Sequence, residues 1–295
     1  MNNQSGILGP VPKHARYLMF SFESDVMDAA EVLALLLDIV DGENTIVGLG
    51  PSMLAAFNHQ IPGLRPFPSM VGPGFDIPST QHALWFWLRG DDRGELHHRS
   101  REIEHALAMD FQMKEVLDTF MHSDSRDLTG YVDGTENPVD ENAVDAAIVS
   151  GQGSGMDGSS FVAVQQWTHD FELFDAMTQE EQDNAIGRRK SDNEELADVP
   201  TSAHVKRTAQ ESFDPEAFMV RRSMPWTEGN EAGLNFVAFV KSLDAFEVML
   251  QRMVGAEDGI VDALFNFTRP ISGAYYWCPP MKDGKLDLSS LKSQA

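Results

Sequence analysis

Cysteine is nearly absent from this chain: in 295 residues only Cys278 occurs. One thiol cannot close an intrachain disulfide, nor build the thiolate clusters that hold structural zinc or iron–sulfur centres. Basic residues are scarce as well, with 22 Lys and Arg against 46 Asp and Glu and a net charge of −24. A surface of that sign repels nucleic-acid phosphates and anionic headgroups, so neither nucleic acid nor a membrane is expected as a partner. Long apolar runs are missing: no stretch approaches the roughly eighteen residues that a spanning helix needs. The opening MNNQSGILGPVPKHA has neither the basic flank nor the apolar core of a secretion signal, which points to the cytoplasm. No His-x-x-x-His or His-Glu-x-x-His pair occurs, and no Gly-rich turn follows a strand-like run to cradle a dinucleotide.

What is present reads as two halves with one grammar. Ala15 to Glu23 and Ala83 to Gly90 are β-like runs, and Asp28 to Val40 repeats apolar residues at helical spacing. The stretch from Glu95 to Leu117 shows a long helical period with charges on the opposite face, predicting one helix. In the second half, Ser159 to Asp170 predicts a strand and FELFDAMTQEEQDNAIG a helix stopped by Gly187. NFVAFVKS, LDAFEVMLQRMVG and AYYWCPP predict strand, helix and strand. A duplicated α+β arrangement follows, each half an antiparallel sheet with helices on one face. The glycine- and serine-rich segment Ser150 to Ser160 predicts the boundary, giving domains at 1–150 and 151–280 and a flexible tail at 281–295.

Four polar stretches interrupt this pattern. LTGYVDGTENP (Leu128 to Pro138) carries Asp133 before Gly134, a pair that usually means only a turn. The irregular run Ile186 to Thr208 contains His204, and most lone histidines are surface or satisfied core residues. FMVRRSMPW places Arg221 and Arg222 inside an apolar run, where a guanidinium needs an anionic partner. Asp262 heads a helix-like turn, for which N-capping is the simplest role.

Taken together and in order, these segments resemble the dye-decolorising peroxidases, most closely the bacterial cytoplasmic B type. The likeness rests on Gly130-Tyr-Val-Asp133-Gly134, DGTENP, IGRRK, HVKR, RRSMPW followed by GLNFVAFV, and FTRPISGAYYW. It implies ferredoxin-like halves of the dimeric α/β-barrel type, with the cofactor held mainly by the second half. It also implies one haem b per chain and a peroxidase that reduces hydrogen peroxide while oxidising dyes, phenolics or other small organic one-electron donors through high-valent iron. The alternative is a non-catalytic haem carrier using the same pocket. By the resemblance, His204 is the axial iron ligand and Asp262 the carboxylate that gives it imidazolate character. Asp133 is the proton shuttle, Arg221 the cation stabilising the departing hydroxide, and Ser223 its hydrogen-bonding neighbour, standing where asparagine is common. Arg188 is a candidate clamp for a haem propionate, Leu234 and Phe236 candidate walls of the distal pocket, and Gly134 is expected to avoid a clash with the haem. Assembly into homo-oligomers is implied too. The tail, with Leu286, Leu288 and Leu291 expected to be exposed, resembles the cargo peptides of peroxidases packaged in encapsulin shells, so residues 286–295 are expected to bind such a shell protein.

Overall fold

The computed structural model describes residues 2–23 and 29–291. Its strands are β1 (His14–Phe22), β2 (Thr45–Leu49), β3 (Met70–Gly72), β4 (Phe75–Ile77), β5 (Leu84–Gly90), β6 (Phe111–Phe120) and β7 (Ser160–His169), then β8 (Val220–Arg221), β9 (Met224–Glu228), β10 (Glu231–Val240), β11 (Thr268–Pro270), β12 (Ala274–Cys278), β13 (Met281–Lys282) and β14 (Lys285–Leu286). The helices are α1 (Ala29–Ile39), α2 (Pro51–Ala56), α3 (Arg93–Leu107), α4 (Asp140–Ala147), α5 (Phe171–Ala176), α6 (Gln179–Ile186), α7 (His204–Arg207) and α8 (Leu243–Met253). None of the described helices is long and apolar enough to cross a membrane.

Each half is an antiparallel ferredoxin-like sheet with its first strand inside. In the first, β1 lies between β5 and β6, and β2 pairs with β5. In the second, β7 lies between β10 and β12, and β9 pairs with β10. The halves meet at two seams, Trp277 opposite Leu49 and Thr119 opposite Trp226, which close the strands into a barrel. Barrel closure explains the composition of β5. Trp85 and Trp87 point into the barrel with Tyr17, Trp226 and Phe239, while Leu84, Phe86 and Leu88 pack outward under the helices. A strand buried on both faces has no polar alternation.

Three expectations are corrected. The helix expected from Glu95 to Leu117 ends at Leu107, and Phe111–Phe120 is the strand β6, paired along β1. Edge-on pairing with β1 supplies partners for backbone groups that the charged face could not, so tertiary context overrides the helical period. The single helix expected before Gly187 is two, α5 and α6, because Thr178 and Glu181 form a capping box that starts a new helix. The tail is not a free segment up to Leu291: β13 and β14 form a hairpin against α1, Lys285 Nζ lies 3.1 Å from Asp38, and Leu286, Leu288 and Leu291 are buried in the core. Burial satisfies three leucines that water would not. The remainder of that tail, 292–295, lies outside the described residues.

Candidate functional site

His204 opens α7, the short helix that follows a long irregular run. Its Nδ1 lies 2.8 Å from Asp262 Oδ2. Asp262 is fully buried and doubly used, since its Oδ1 also accepts from the Leu264 N–H at 2.9 Å and caps the turn Ala263–Asn266. Capping and pairing are thus one device: the cap fixes the carboxylate, and the carboxylate fixes the imidazole. With Nδ1 committed, Nε2 is the nitrogen left for the cavity that His204 lines.

Asp133 and Arg221 line the same cavity. Asp133 sits in the loop after β6, held by its N–H to the Ser125 carbonyl at 3.0 Å, and its carboxylate has no partner among the described residues. Arg221 lies on β8 opposite Ala238, and its Nε is buried without an acceptor among the described residues. Strand alternation turns Arg222 the other way, where it donates to the Leu8 and Arg221 carbonyls; burial, then the nearby Arg89, bring its pKa down to about 10. The two cavity-lining segments are tied by Asn137, whose Oδ1 accepts from Arg221 N–H (2.8 Å) while its Nδ2 donates to Arg221 C=O (3.1 Å). Gly134 has φ +80°, and the nearest atom to an added Cβ would be Asn137 Nδ2 at 2.8 Å. Its glycine is therefore required by the turn and by this clamp, whatever fills the cavity. Ser223 has a buried, unpartnered Oγ but does not line the cavity.

Leu234 and Phe236 form one wall on β10; Met249, Leu250 and Met253 of α8, with Leu264 and Phe267, form another. Arg188 is not part of this lining. It is bonded to Glu136 (2.5 Å) and Glu195 (3.1 Å), so the chain's own carboxylates already occupy its fork. Gln165, Trp167, His169 and Asp127 line the cavity as well, and no sequence motif singles out Gln165, His169 or Asp127. Gln165 and Trp167 lie on β7 with Nε2 and Nε1 buried and unpartnered. His169 bridges Asp127 Oδ1 (2.9 Å) and Thr268 Oγ1 (2.8 Å), fixing the loop that leads to Asp133. Burial pushes the Asp127 carboxyl up, but hydrogen bonds from His169 and Thr129 outweigh it and hold the group below the usual range. Its only sequence signal was the Asp-x-Thr turn spacing before Gly130.

The cavity holds about 970 Å³ of atom-free space, part of it open to solvent. A larger groove of about 2460 Å³, lined by Glu136, Phe213, Phe218 and Asp244 among others, contains none of His204, Asp133 or Arg221, so the chemistry belongs to the smaller one. Its residues fit a haem: a carboxylate-backed imidazole on one side, apolar walls, and an unpaired carboxylate and guanidinium with orphaned buried donors awaiting partners.

Comparison with known proteins narrows this further. Residues 124–283 match the family model described as Dyp-type peroxidase, C-terminal. The dye-decolorizing peroxidase of Brevibacterium linens is 28% identical over 291 residues, covering 92% of this chain and 79% of that one. That of Mycobacterium tuberculosis is 30% identical, covering 73% of this chain and 66% of that one. Among solved structures, a Dyp-type peroxidase protein from Shewanella oneidensis superposes with a TM-score of 0.89 at 28% identity, over 99% and 98% of the two chains. A variant of DypB from Rhodococcus jostii, in complex with heme, superposes at 0.87 and 27% identity over 95% and 97%. The chain belongs to the Dyp-type peroxidase family, and is an enzyme whose substrates are hydrogen peroxide and an electron donor.

Proposed function

We propose that the protein holds one haem b between His204 and the Asp133–Arg221 pair and uses it to reduce hydrogen peroxide at the expense of dyes, phenolics and other one-electron donors. Bound there, the haem supplies iron that accepts two oxidising equivalents from peroxide and passes them on singly. His204 offers Nε2 as the ligand, and Asp262, accepting from Nδ1–H, makes the imidazole a stronger donor and fixes its orientation. Asp133 takes a proton from incoming peroxide and returns it to the leaving oxygen. Arg221 stabilises the negative charge that develops on that oxygen. Leu234, Phe236 and the α8 methionines exclude water around the reacting atoms. Arg188 clamps a haem propionate only by giving up Glu136 or Glu195.

The observation that carries this reading is the hydrogen-bonded His204–Asp262 pair facing the same cavity as two unpaired charged groups. A haem carrier needs the first and has no use for the second. An absorption spectrum of the purified haem-loaded protein before and after one equivalent of peroxide tests it. A peroxide-dependent Soret change followed by recovery on adding a phenol is expected; an inert spectrum would favour the carrier.

Assembly is part of the same reading. Exposed Phe218 and Val248 in the larger groove support self-association, and the acidic composition is compatible with the cytoplasm. Packaging by an encapsulin-type shell through 286–295 requires the hairpin to leave α1, because the leucines that would enter the shell's pockets are used inward.

A further inference from the structure

Four aromatic residues are candidates to pass electrons between the cavity and donors outside it: Tyr131, Trp167, Trp226 and Tyr276. Oxidising a phenol or indole makes its O–H or N–H strongly acidic, so a useful relay needs a base already in place to take that proton. Trp167 lines the cavity, but its Nε1 finds no acceptor among the described residues. Trp226 donates to the Trp167 carbonyl at 2.9 Å, and a carbonyl does not accept a full proton. Tyr276 is fully enclosed in the barrel core, away from the cavity.

Tyr131 alone of the four combines a place in the cavity lining with a carboxylate acceptor. It lines the cavity, and its phenol donates to Asp183 Oδ1 at 2.5 Å. Gln179 Nε2 donates to the phenol oxygen (3.2 Å) and to the same carboxylate (2.8 Å), and the Lys190 N–H also reaches Asp183 (3.2 Å). Gln179 is exposed and Asp183 half-buried, so the phenol lies one hydrogen bond below the surface of α6 while the ring is buried. Burial, then the hydrogen bond and charge of Asp183, push the phenol pKa well above its ordinary value, so at rest the proton stays on Tyr131. Lys190 Nζ stands 5.5 Å from the ring centroid. A cation there is attracted to the face of a neutral ring and repelled by a positively charged one, which favours loss of the proton on oxidation.

We propose that Tyr131 is a redox relay for donors too bulky to enter the cavity, with Asp183 as its proton acceptor. The step rests on the haem peroxidase reading, which supplies the oxidant: the equivalents left at the cofactor after peroxide is reduced. Tyr131 gives one electron inward, its O–H bond breaks, and the proton moves to Asp183, leaving a neutral tyrosyl radical. A donor AH then gives one electron to the phenoxyl oxygen, Asp183 returns the proton, and AH loses its own proton to water. Two such cycles balance the reduction of one peroxide to two waters with formation of two A radicals.

The test uses the haem-loaded protein, its Tyr131→Phe and Asp183→Asn variants, and freeze-quenched electron paramagnetic resonance after one equivalent of peroxide, with the Soret band read on the same samples. Wild type should give an organic radical whose hyperfine pattern collapses when the protein carries ring-deuterated tyrosine. Tyr131→Phe should lack that signal and Asp183→Asn should show it strongly diminished. In both variants the ratio of bulky-dye to small-phenol turnover should fall roughly tenfold or more. The same tyrosyl signal in Tyr131→Phe, beside a normal peroxide-induced Soret change, overturns the relay. No Soret change in any of the three proteins, wild type included, overturns the peroxidase reading instead.

Discussion

Arg221 and Asp133 both line the cavity, and in the proposed reaction they would bring opposite charges to the breaking peroxide bond. An ionised carboxylate repels the anion that forms as the peroxide bond breaks, whereas a guanidinium attracts it. Removing one such donor typically costs on the order of a hundredfold in rate. Stopped-flow measurement should therefore show Arg221→Leu slowed at least as much as Asp133→Asn in its reaction with peroxide, and a near-wild-type rate in Arg221→Leu would contradict this ranking. At this scale the sequence was informative where a motif named the residue and mute where a residue acts through geometry. His204, Asp262, Asp133 and Arg221 came from motif order, and all four line or support one cavity. Asn137 precedes a proline, a local signal for no more than a turn, and nothing in its neighbours says that its amide clamps Arg221 from 84 positions away. His169 and Asp127, 42 positions apart, were equally invisible, because each alone is an ordinary polar residue on a strand end or turn.

Elements were legible where the apolar period matched one environment. β5, β7, β10, β12 and α8 fall where their runs predict them, since each buries a continuous or one-sided apolar surface. Failure came where two periods coexist. In Phe111–Phe120 the buried positions are Phe111, Leu117 and Thr119, a pattern loose enough to extend the preceding helix on paper. The tail failed for a different reason: three leucines at short spacing look equally suited to a foreign pocket and to the chain's own core. The structure seats all three inward, Leu288 at 5% exposure. Leu288→Ala should therefore destabilise the protein by about 2–4 kcal/mol, read as a lowered denaturant midpoint, because it opens a cavity in a packed cluster. A free tail would lose nothing. The shell reading is checked by co-expression with an encapsulin-type shell protein. Deletion of 286–295 should abolish co-purification, and the deleted protein should also melt earlier, having lost the α1 contacts; continued packaging of the truncated chain would contradict the cargo role.

For the whole molecule, duplication was readable from recurring strand–helix units, but closure was not. The seams are single residue pairs, Trp277 with Leu49 and Thr119 with Trp226, and single pairs leave no period in a sequence. Closure matters to function because it turns β7 and β10 into a rigid wall whose outer face carries Gln165, Trp167, Leu234 and Phe236 toward the cavity. The opposite wall, α7 and the Asp262 turn, comes from the same half, so the site depends on how that half folds against the loop carrying Asp133. The proposed function rests most heavily on His204, on that wall, as the axial ligand of the haem iron. Haem titration of His204→Ala, followed by absorption at the Soret band, tests it most directly. The account predicts loss of most bound haem and of the five-coordinate histidine spectrum, with folding otherwise retained by circular dichroism. Full haem occupancy with an unchanged histidine-ligated spectrum would contradict it.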